Sequence, residues 1–477
     1  MTLDIIIHHG YIITMEGPGC GIINDGAVGI KDDKIIAIGS TSEIMNSYTA
    51  HRYLNAEGKA VLPGFVDVHI HSSNAIVRGT SQDLPNSEWM FHSILPMLSA
   101  ATTDDLVKAS MVNLIEGVKS GTTTFGDFDI PMLHLVKNHI KLKTRDVVSD
   151  LINDLPRDVT TIESGELYPF DYSSGNEKLD QNRRLIEEYH LSNGGRITCR
   201  YGPQAADMCS EEMLREVKAL AQKQNVDLFM HVSQFPEEEI QCNLRYGKRA
   251  IPFLDELGML QSNLLAAHLT MALPNELKKV AQSCAGMCMC SNSIVMIDGK
   301  LPPAREFLDY GGTVGLGTDQ APGNNCNMMF NEMKFASILT KLQTGNPSVF
   351  PAWKILRMAT IEAAKALGMD NQIGSLKPEK KADIIIINLM VPHMTPILER
   401  PVRNIIPNLV YAARGEEVET VIIDGDIIVD NRRLLTVDES HAIREANEAA
   451  KRLESELTQK EWAQSHPLTT FTNDGFY

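Results

Sequence analysis

Two histidines spaced two residues apart close a buried, β-branched run, Val61-Leu-Pro-Gly-Phe-Val-Asp-Val-His-Ile-His71. On a strand, residues i and i+2 point to the same face. His69 and His71 therefore leave the strand end on one side, close enough to share one metal ion. Imidazole suits zinc, iron and similar ions. A catalytic metal also needs further ligands and an open position for water. Three more polar residues stand at the ends of apolar, strand-like runs. His231 ends Asp227-Leu-Phe-Met-His, His268 ends Leu264-Leu-Ala-Ala-His, and Asp319 ends Thr313-Val-Gly-Leu-Gly-Thr-Asp. A lone histidine at a strand end is usually a satisfied core or loop residue. Four histidines and one aspartate at equivalent ends form a set. Burying them without a metal or mutual hydrogen bonds would cost about 1–3 kcal/mol per unpaired group. The set therefore reads as a functional site.

The elements that must hold these residues follow a pattern. Strand-like runs at 61–71, 121–128, 146–152, 196–202, 227–232, 264–268, 286–290 and 313–318 alternate with helical periodicity. Such alternation predicts a parallel sheet covered by helices. Eight units fit a TIM-like (β/α)₈ barrel, an α/β fold whose active site sits at the C-terminal strand ends. An open doubly wound sheet is the alternative, but no Gly-x-Gly-x-x-Gly or P-loop sequence supports a nucleotide fold. Both chain ends are β-rich. Short runs at 5–7, 11–15, 27–31 and 34–38 are matched late by 382–388 and 418–429, the latter containing Asp424-Gly425, a hairpin signal. The expected organisation is a small β-sandwich built from 1–57 and 375–430, a barrel over 58–374, and a helical tail over 431–477. In that tail, 439–460 has helical spacing, and its charges read as a solvated face.

Composition narrows the function classes. Hydrophobic residues make up 43% and charged residues 22% of the 477, normal for a soluble globular protein. No apolar run approaches the roughly 20 residues of a membrane helix, and the N-terminus reads as a strand instead of a signal peptide. A formal net charge of -17 argues against nucleic-acid binding. Eight scattered cysteines with no export signal imply reduced thiols and a cytoplasmic location. Cys284, Cys288 and Cys290 cluster locally. A soft metal site is conceivable there, but a buried strand packed with small thiols explains the pattern better.

The motifs together resemble the amidohydrolase superfamily, in the branch of aminohydrolases acting on nitrogen heterocycles. Guanine, cytosine and S-adenosylhomocysteine deaminases and s-triazine hydrolases belong to that branch. The resemblance rests on Pro63-Gly-Phe-Val-Asp-Val-His-Ile-His71, Arg78-Gly79, Ser120-Gly-Thr-Thr-Thr124, His231, Ala267-His268, Ser291-Asn292, Gly315-Leu-Gly-Thr-Asp319 and Asn324-Asn325. Two late segments complete it: Met358-Ala-Thr-Ile-Glu-Ala-Ala-Lys-Ala-Leu-Gly368 and Ile373-Gly-Ser-Leu-Lys-Pro-Glu-Lys-Lys-Ala-Asp383. It implies one divalent metal ion, zinc or iron, held by His69, His71, His231 and Asp319. It implies that the metal acidifies a water, that Asp319 shuttles its proton, and that His268 stabilises developing charge. The implied reaction is hydrolytic deamination of a purine, pterin, pyrimidine or s-triazine, and a homodimer or higher homo-oligomer is the implied assembly.

One departure stands out. The heterocycle deaminases carry a glutamate three residues after the third histidine, which protonates a ring nitrogen. Here that position is Gln234, which exchanges hydrogen bonds but donates no proton at useful pH. Gln234 is either a substrate-orienting amide or the mark of a substrate that needs less protonation. The latter would be a carbon–halogen, alkylamino or cyclic amide bond on a similar ring. Glu237, Glu238 and Glu239 follow closely, but a charge run after a proline reads first as solvated surface. A catalytically silent scaffold of the same fold is the reading from outside enzymology. Substrate contacts are expected from Trp89, by stacking on a flat ring or by packing its helix on the barrel. They are expected also from His92 on the same helix, from Gln204 after the fourth strand, and from Asn153 with Asp154 after the third. Asn324 and Asn325 read as loop formers.

Overall fold

The computed structural model describes residues 1–156 and 166–476. Its centre is a closed barrel of eight parallel strands: β1 (Phe65–His71), β2 (Thr122–Asp129), β3 (Arg145–Asp150), β4 (Ile197–Cys199), β5 (Leu228–Val232), β6 (Leu264–His268), β7 (Gly286–Met289) and β8 (Thr313–Leu316). Register runs continuously through β1–β4 and through β5–β8. Two seams close the ring. At the first, Tyr201 bridges to Leu228, and Phe229 N donates to Tyr201 O at 2.9 Å. At the second, the chain leaves β8, breaks at Gly317 and Thr318, and resumes as Asp319–Gln320 beside Ile70 and His71. Gly317 is required there: a Cβ would stand 2.7 Å from Cys288 Sγ and 2.9 Å from His69 Cβ.

Both chain ends meet in one nine-stranded mixed sheet. Its order is Arg433–Leu434, Asp426–Asp430, Val418–Ile423, Ile384–Asn388, Lys59–Pro63, Thr2–Ile13, Ile22–Lys31 and Lys34–Ser40, with Thr49–Asn55 pairing parallel to Thr2–Ile13. The expected single strand at 61–71 is in fact two. Lys59–Pro63 belongs to the mixed sheet, and β1 begins at Phe65. Gly64 makes the crossing, because any side chain there would fall 2.2 Å from Thr123. The hairpin at Asp424-Gly425 forms as expected, with both residues at positive φ.

The sheet and barrel share one apolar cluster, to which Ile385, Ile387 and Val421 belong together with Phe65, Leu114 and Phe125. A buried ion cluster reinforces the joint. Arg145, at the start of β3, is fully buried and donates to Asp383 at 2.7 and 3.1 Å and to Asp424. Arg196 reaches Asp424 and Asp426, both at 2.9 Å. The tail helix spans Glu439–Leu457. Its face is not simply solvated: Ala442, Ala449 and Leu453 are buried, Arg452 pairs with Asp105, and Lys119 pairs with Glu439 at 2.7 Å. Among the described residues, no helix is long and apolar enough to cross a membrane.

Candidate active site

Strand alternation sends Asp67, His69 and His71 to one face of β1. All three are buried. Asp67 accepts from Thr318 N at 3.0 Å and from Thr318 Oγ1 at 2.6 Å, pinning the second seam beneath His69. From that seam Asp319 turns inward. Its Oδ1 lies 3.5 Å from Nε2 of both His69 and His71, and its Oδ2 accepts from Ser293 Oγ at 2.7 Å. His231 closes β5. Its Nδ1–H donates to the Gln204 carbonyl at 2.9 Å, which leaves Nε2 as a lone-pair donor 3.4 Å from His71 Nε2. His268 ends β6 and lies parallel to His231 with ring centres 5.4 Å apart. Asp319 (φ 63) and His268 (φ 77) both hold left-handed backbone. That conformation costs a non-glycine residue of order 1–3 kcal/mol and is typical of functional positions.

The electrostatics favour a cation. Burial, then the neighbouring imidazoles, push His69 and His268 well below the usual histidine range. Burial and His231 bring His71 down to about 3, and burial brings His231 to about 4. All four rings are therefore neutral. Burial raises Asp319 to about 7 against the Ser293 hydrogen bond. Both nitrogens of His69, both of His268 and Oδ1 of Asp319 are buried without hydrogen-bond partners among the described residues. Two groups have donor atoms all within 4.8 Å of one another: His69, His71 and His231, and His69, His268 and Asp319. They share His69, and the contacts of Asp319 with His69 and His71 tie them into one cluster. Unpaired imidazole and carboxylate donors at this spacing fit a divalent metal ion. Cys288 and Cys290 are buried thiols 3.5 Å apart, and Cys284 is exposed. No metal-type group among the described residues includes them.

A cavity of about 460 Å³ opens onto the cluster, with His71 and His231 in its wall. Of the residues expected to contact substrate, Trp89, Asn153, Gln204 and Gln234 line it. Trp89 satisfies both expectations: it belongs to the apolar core, and its Nε1 donates to Pro322 O at 3.3 Å, so only its ring is offered to the cavity. His92 does not reach the site. Its helical phase buries Phe91, Ser93 and Ile94 and leaves His92 exposed, outside the cavity wall. Asp154 also stays outside, accepting from Ser210 N at 2.6 Å. Asn324 and Asn325 form the loop after Asp319, Asn324 Oδ1 accepting from Cys326 N at 2.7 Å.

The acidic run after Pro236 is the main correction. Glu238 and Glu239 are 4% and 5% exposed, not solvated. The helix Pro236–Tyr246 turns Glu238, Glu239, Gln241 and Cys242 inward and leaves Ile240 and Leu244 exposed. Glu238 lines the cavity together with Asp207, a residue that sequence reasoning did not single out. No helical periodicity rule anticipates acids inside and apolar residues outside.

Comparison with known proteins agrees with this architecture. The family model described as "Amidohydrolase family" matches residues 60–428. A 5'-deoxyadenosine deaminase of Methanosarcina acetivorans is 33% identical over 450 residues, covering 94% of this chain and 98% of that protein. A 5-methylthioadenosine/S-adenosylhomocysteine deaminase of Pelotomaculum thermopropionicum is 31% identical, covering 94% and 99%. The crystal structure of an adenosine deaminase from Xanthomonas campestris, with bound zinc, superposes with a TM-score of 0.87 at 24% identity, covering 95% and 99%. The motifs, the barrel with its polar strand ends and these matches agree: the chain belongs to the amidohydrolase family.

Proposed function

We propose that the chain hydrolyses the exocyclic amine from the six-membered ring of an adenine nucleoside, releasing ammonia. A zinc ion held by His69, His71, His231 and Asp319 would supply Lewis acidity and lower the pKa of a water. The observation that carries this reading is the buried cluster of neutral imidazoles and one carboxylate, with unpaired donors, at the floor of a ligand-sized cavity. The names of the two sequence relatives reported above, a 5'-deoxyadenosine deaminase and a 5-methylthioadenosine/S-adenosylhomocysteine deaminase, support the substrate class. Eight free thiols fit a reducing cytoplasm.

Each residue has a task that its bonding permits. Asp319 takes the proton of the attacking water and passes it to the departing amine. His268, neutral and unpaired, donates one ring N–H to the oxygen as charge develops on it. Gln204 has its Oε1 occupied by Asn153 Nδ2 at 2.6 Å, so it presents Nε2 donors to the cavity. Trp89 offers an aromatic face to the purine.

Ammonia release from 5'-deoxyadenosine, 5'-methylthioadenosine, S-adenosylhomocysteine and adenosine tests the reading, with metal content measured alongside. Wild type should bind about one equivalent of divalent metal and turn over at least one of the four. Asp319→Asn should lose roughly 10²- to 10⁴-fold in kcat. Equal turnover by the two proteins refutes the shuttle. Gln234 in the cavity wall favours a second reading, loss of chloride or an alkylamine from a similar ring; an enzyme that releases those and no ammonia would establish it.

A further inference from the structure

Hydrolytic deamination moves an electron pair onto a ring nitrogen as water adds to the neighbouring carbon. That nitrogen must gain a proton. Amides cannot supply one, so neither Gln234, Gln204 nor Asn153 serves. Among the described residues, the cavity wall contains four carboxyl groups: Asp129, Asp207, Glu237 and Glu238. Asp129 is committed, accepting from Ser73 N at 2.6 Å, Ser73 Oγ at 2.9 Å and Ile130 N at 2.8 Å. Asp207 and Glu238 differ. Asp207 Oδ1 and Glu238 Oε1 are each buried without a hydrogen-bond partner among the described residues. The other oxygen of Glu238 accepts from the Gln234 backbone N–H at 2.7 Å, which ties Glu238 to the residue beside the metal-ligand cluster.

We propose that Asp207 and Glu238 share one proton and that Glu238 delivers it to the substrate ring nitrogen during deamination. This rests on the deaminase reading above. Asp207 and Glu238 stand in one cavity wall, each with an unpartnered buried oxygen, and Asp207 acts electrostatically on Glu238. Two such carboxyl groups relieve their repulsion when one carries hydrogen. Burial and Asp207 hold Glu238 well above the usual carboxyl range, and burial holds Asp207 up at about 7. Glu239 adds to both through its negative charge, while Arg245 and the backbone N–H groups of Gln234 and Ser233 oppose it. Burial, and then the nearby acids, push the Tyr168 phenol and the Cys242 thiol up, so both stand neutral beside the pair. Glu237 lies on the same helix and faces Tyr168.

The protons balance. The Glu238 O–H bond breaks and the ring N–H bond forms as the water oxygen bonds to carbon. One water proton travels through Asp319 to the amine, the carbon–nitrogen bond breaks, and ammonia leaves. The remaining hydroxyl proton is released as the ring carbonyl forms, and it restores the acid pair. The product keeps the proton on its ring nitrogen.

Glu238→Gln tests the assignment in the metal-loaded full chain with 5'-deoxyadenosine. Glutamine keeps the acceptor for Gln234 N–H and can donate to Asp207, so it preserves packing and removes only the transferable proton. The expected result is a loss of about 100-fold or more in kcat, with KM within threefold and metal content unchanged. The wild-type decline of kcat at alkaline pH, where the pair loses its proton, should disappear in the variant. A variant within threefold of wild type overturns the proposal. So does a slow variant that keeps the wild-type alkaline decline, since that marks a structural role. A wild type inactive on every adenine nucleoside would sink the deaminase reading and this one together. An active wild type with an equally active Glu238→Gln variant would sink this one alone.

Discussion

Asn153 sets which end of the Gln204 amide faces the cavity, and a single atom exchange should invert it. Asn153 Oδ1 is fixed as an acceptor, because it receives Lys178 Nζ at 2.7 Å and Leu155 N at 3.0 Å. Its Nδ2 must then donate, and it does so to Gln204 Oε1 at 2.6 Å. Replacing Asn153 by Asp puts an oxygen against that Oε1. Gln204 relieves the clash by turning its amide over, which brings Oε1 into the cavity where Nε2 had been. A purine ring nitrogen then loses a hydrogen bond worth about 1 kcal/mol and faces an unmatched lone pair costing about 1–3 kcal/mol. The sum, about 2–4 kcal/mol, corresponds to a fall of roughly 30- to 900-fold in kcat/KM. The loss should lie mainly in KM, because the contact is made before chemistry. Lys178 would pair with the new carboxylate, so Tm should not fall. Gln204→Leu, which removes the donor without opposing a lone pair, should lose less, about 1 kcal/mol or roughly fivefold. If Asn153→Asp stays within threefold of wild type in kcat/KM while folding normally, Gln204 does not orient the substrate through its donors.

Two further tests address stability. Arg145→Met strands Asp383 inside the joint between barrel and mixed sheet, because no other cation among the described residues is paired with it. Breaking a buried pair from one side costs about 3–5 kcal/mol, readable as a lower urea midpoint with little change in slope; a shift under 1 kcal/mol would show that the joint is held by apolar packing alone. His139 lies between Asp127 at 2.9 Å and Asp146 at 2.7 Å. Burial alone would lower it, but Asp146 and Asp127 outweigh burial and raise it to about 10. Its stabilising charge is thus complete below the unfolded value of about 6.5 and is lost as pH climbs towards the folded one. The destabilisation by His139→Gln should therefore shrink between pH 6.5 and about 10, and a pH-independent difference would show that the ring acts through packing.

The parts of the site that the sequence revealed were those fixed by strand geometry. Period-2 alternation and an abrupt polar residue at the end of an apolar run locate His69, His71, His231, His268 and Asp319 without a structure. Helix-borne residues were harder. His92 and Glu238 each sit in short helices whose rotation is decided by distant packing, and the helix 236–246 reverses the ordinary polarity by exposing Ile240 and Leu244. The strand Thr49–Asn55 was also missed. It is a mostly exposed edge of polar residues, so it carries no apolar alternation to read. The passage from mixed sheet to barrel at Gly64 was hidden because the run continues equally apolar on both sides.

The placement of Lys59–Pro63 has a consequence for how the chain comes to be made. One flank of this strand pairs with Tyr11 and Ile12, available almost as soon as it emerges from the ribosome. The other waits for Ile384–Asn388, which is synthesised only after the entire barrel. Throughout that interval the nascent protein carries a bare, strongly apolar sheet edge, the kind of surface that invites chaperones or misassociation. This order of translation makes the pairing of Lys59–Pro63 with Ile384–Asn388 one of the last steps open to the sheet.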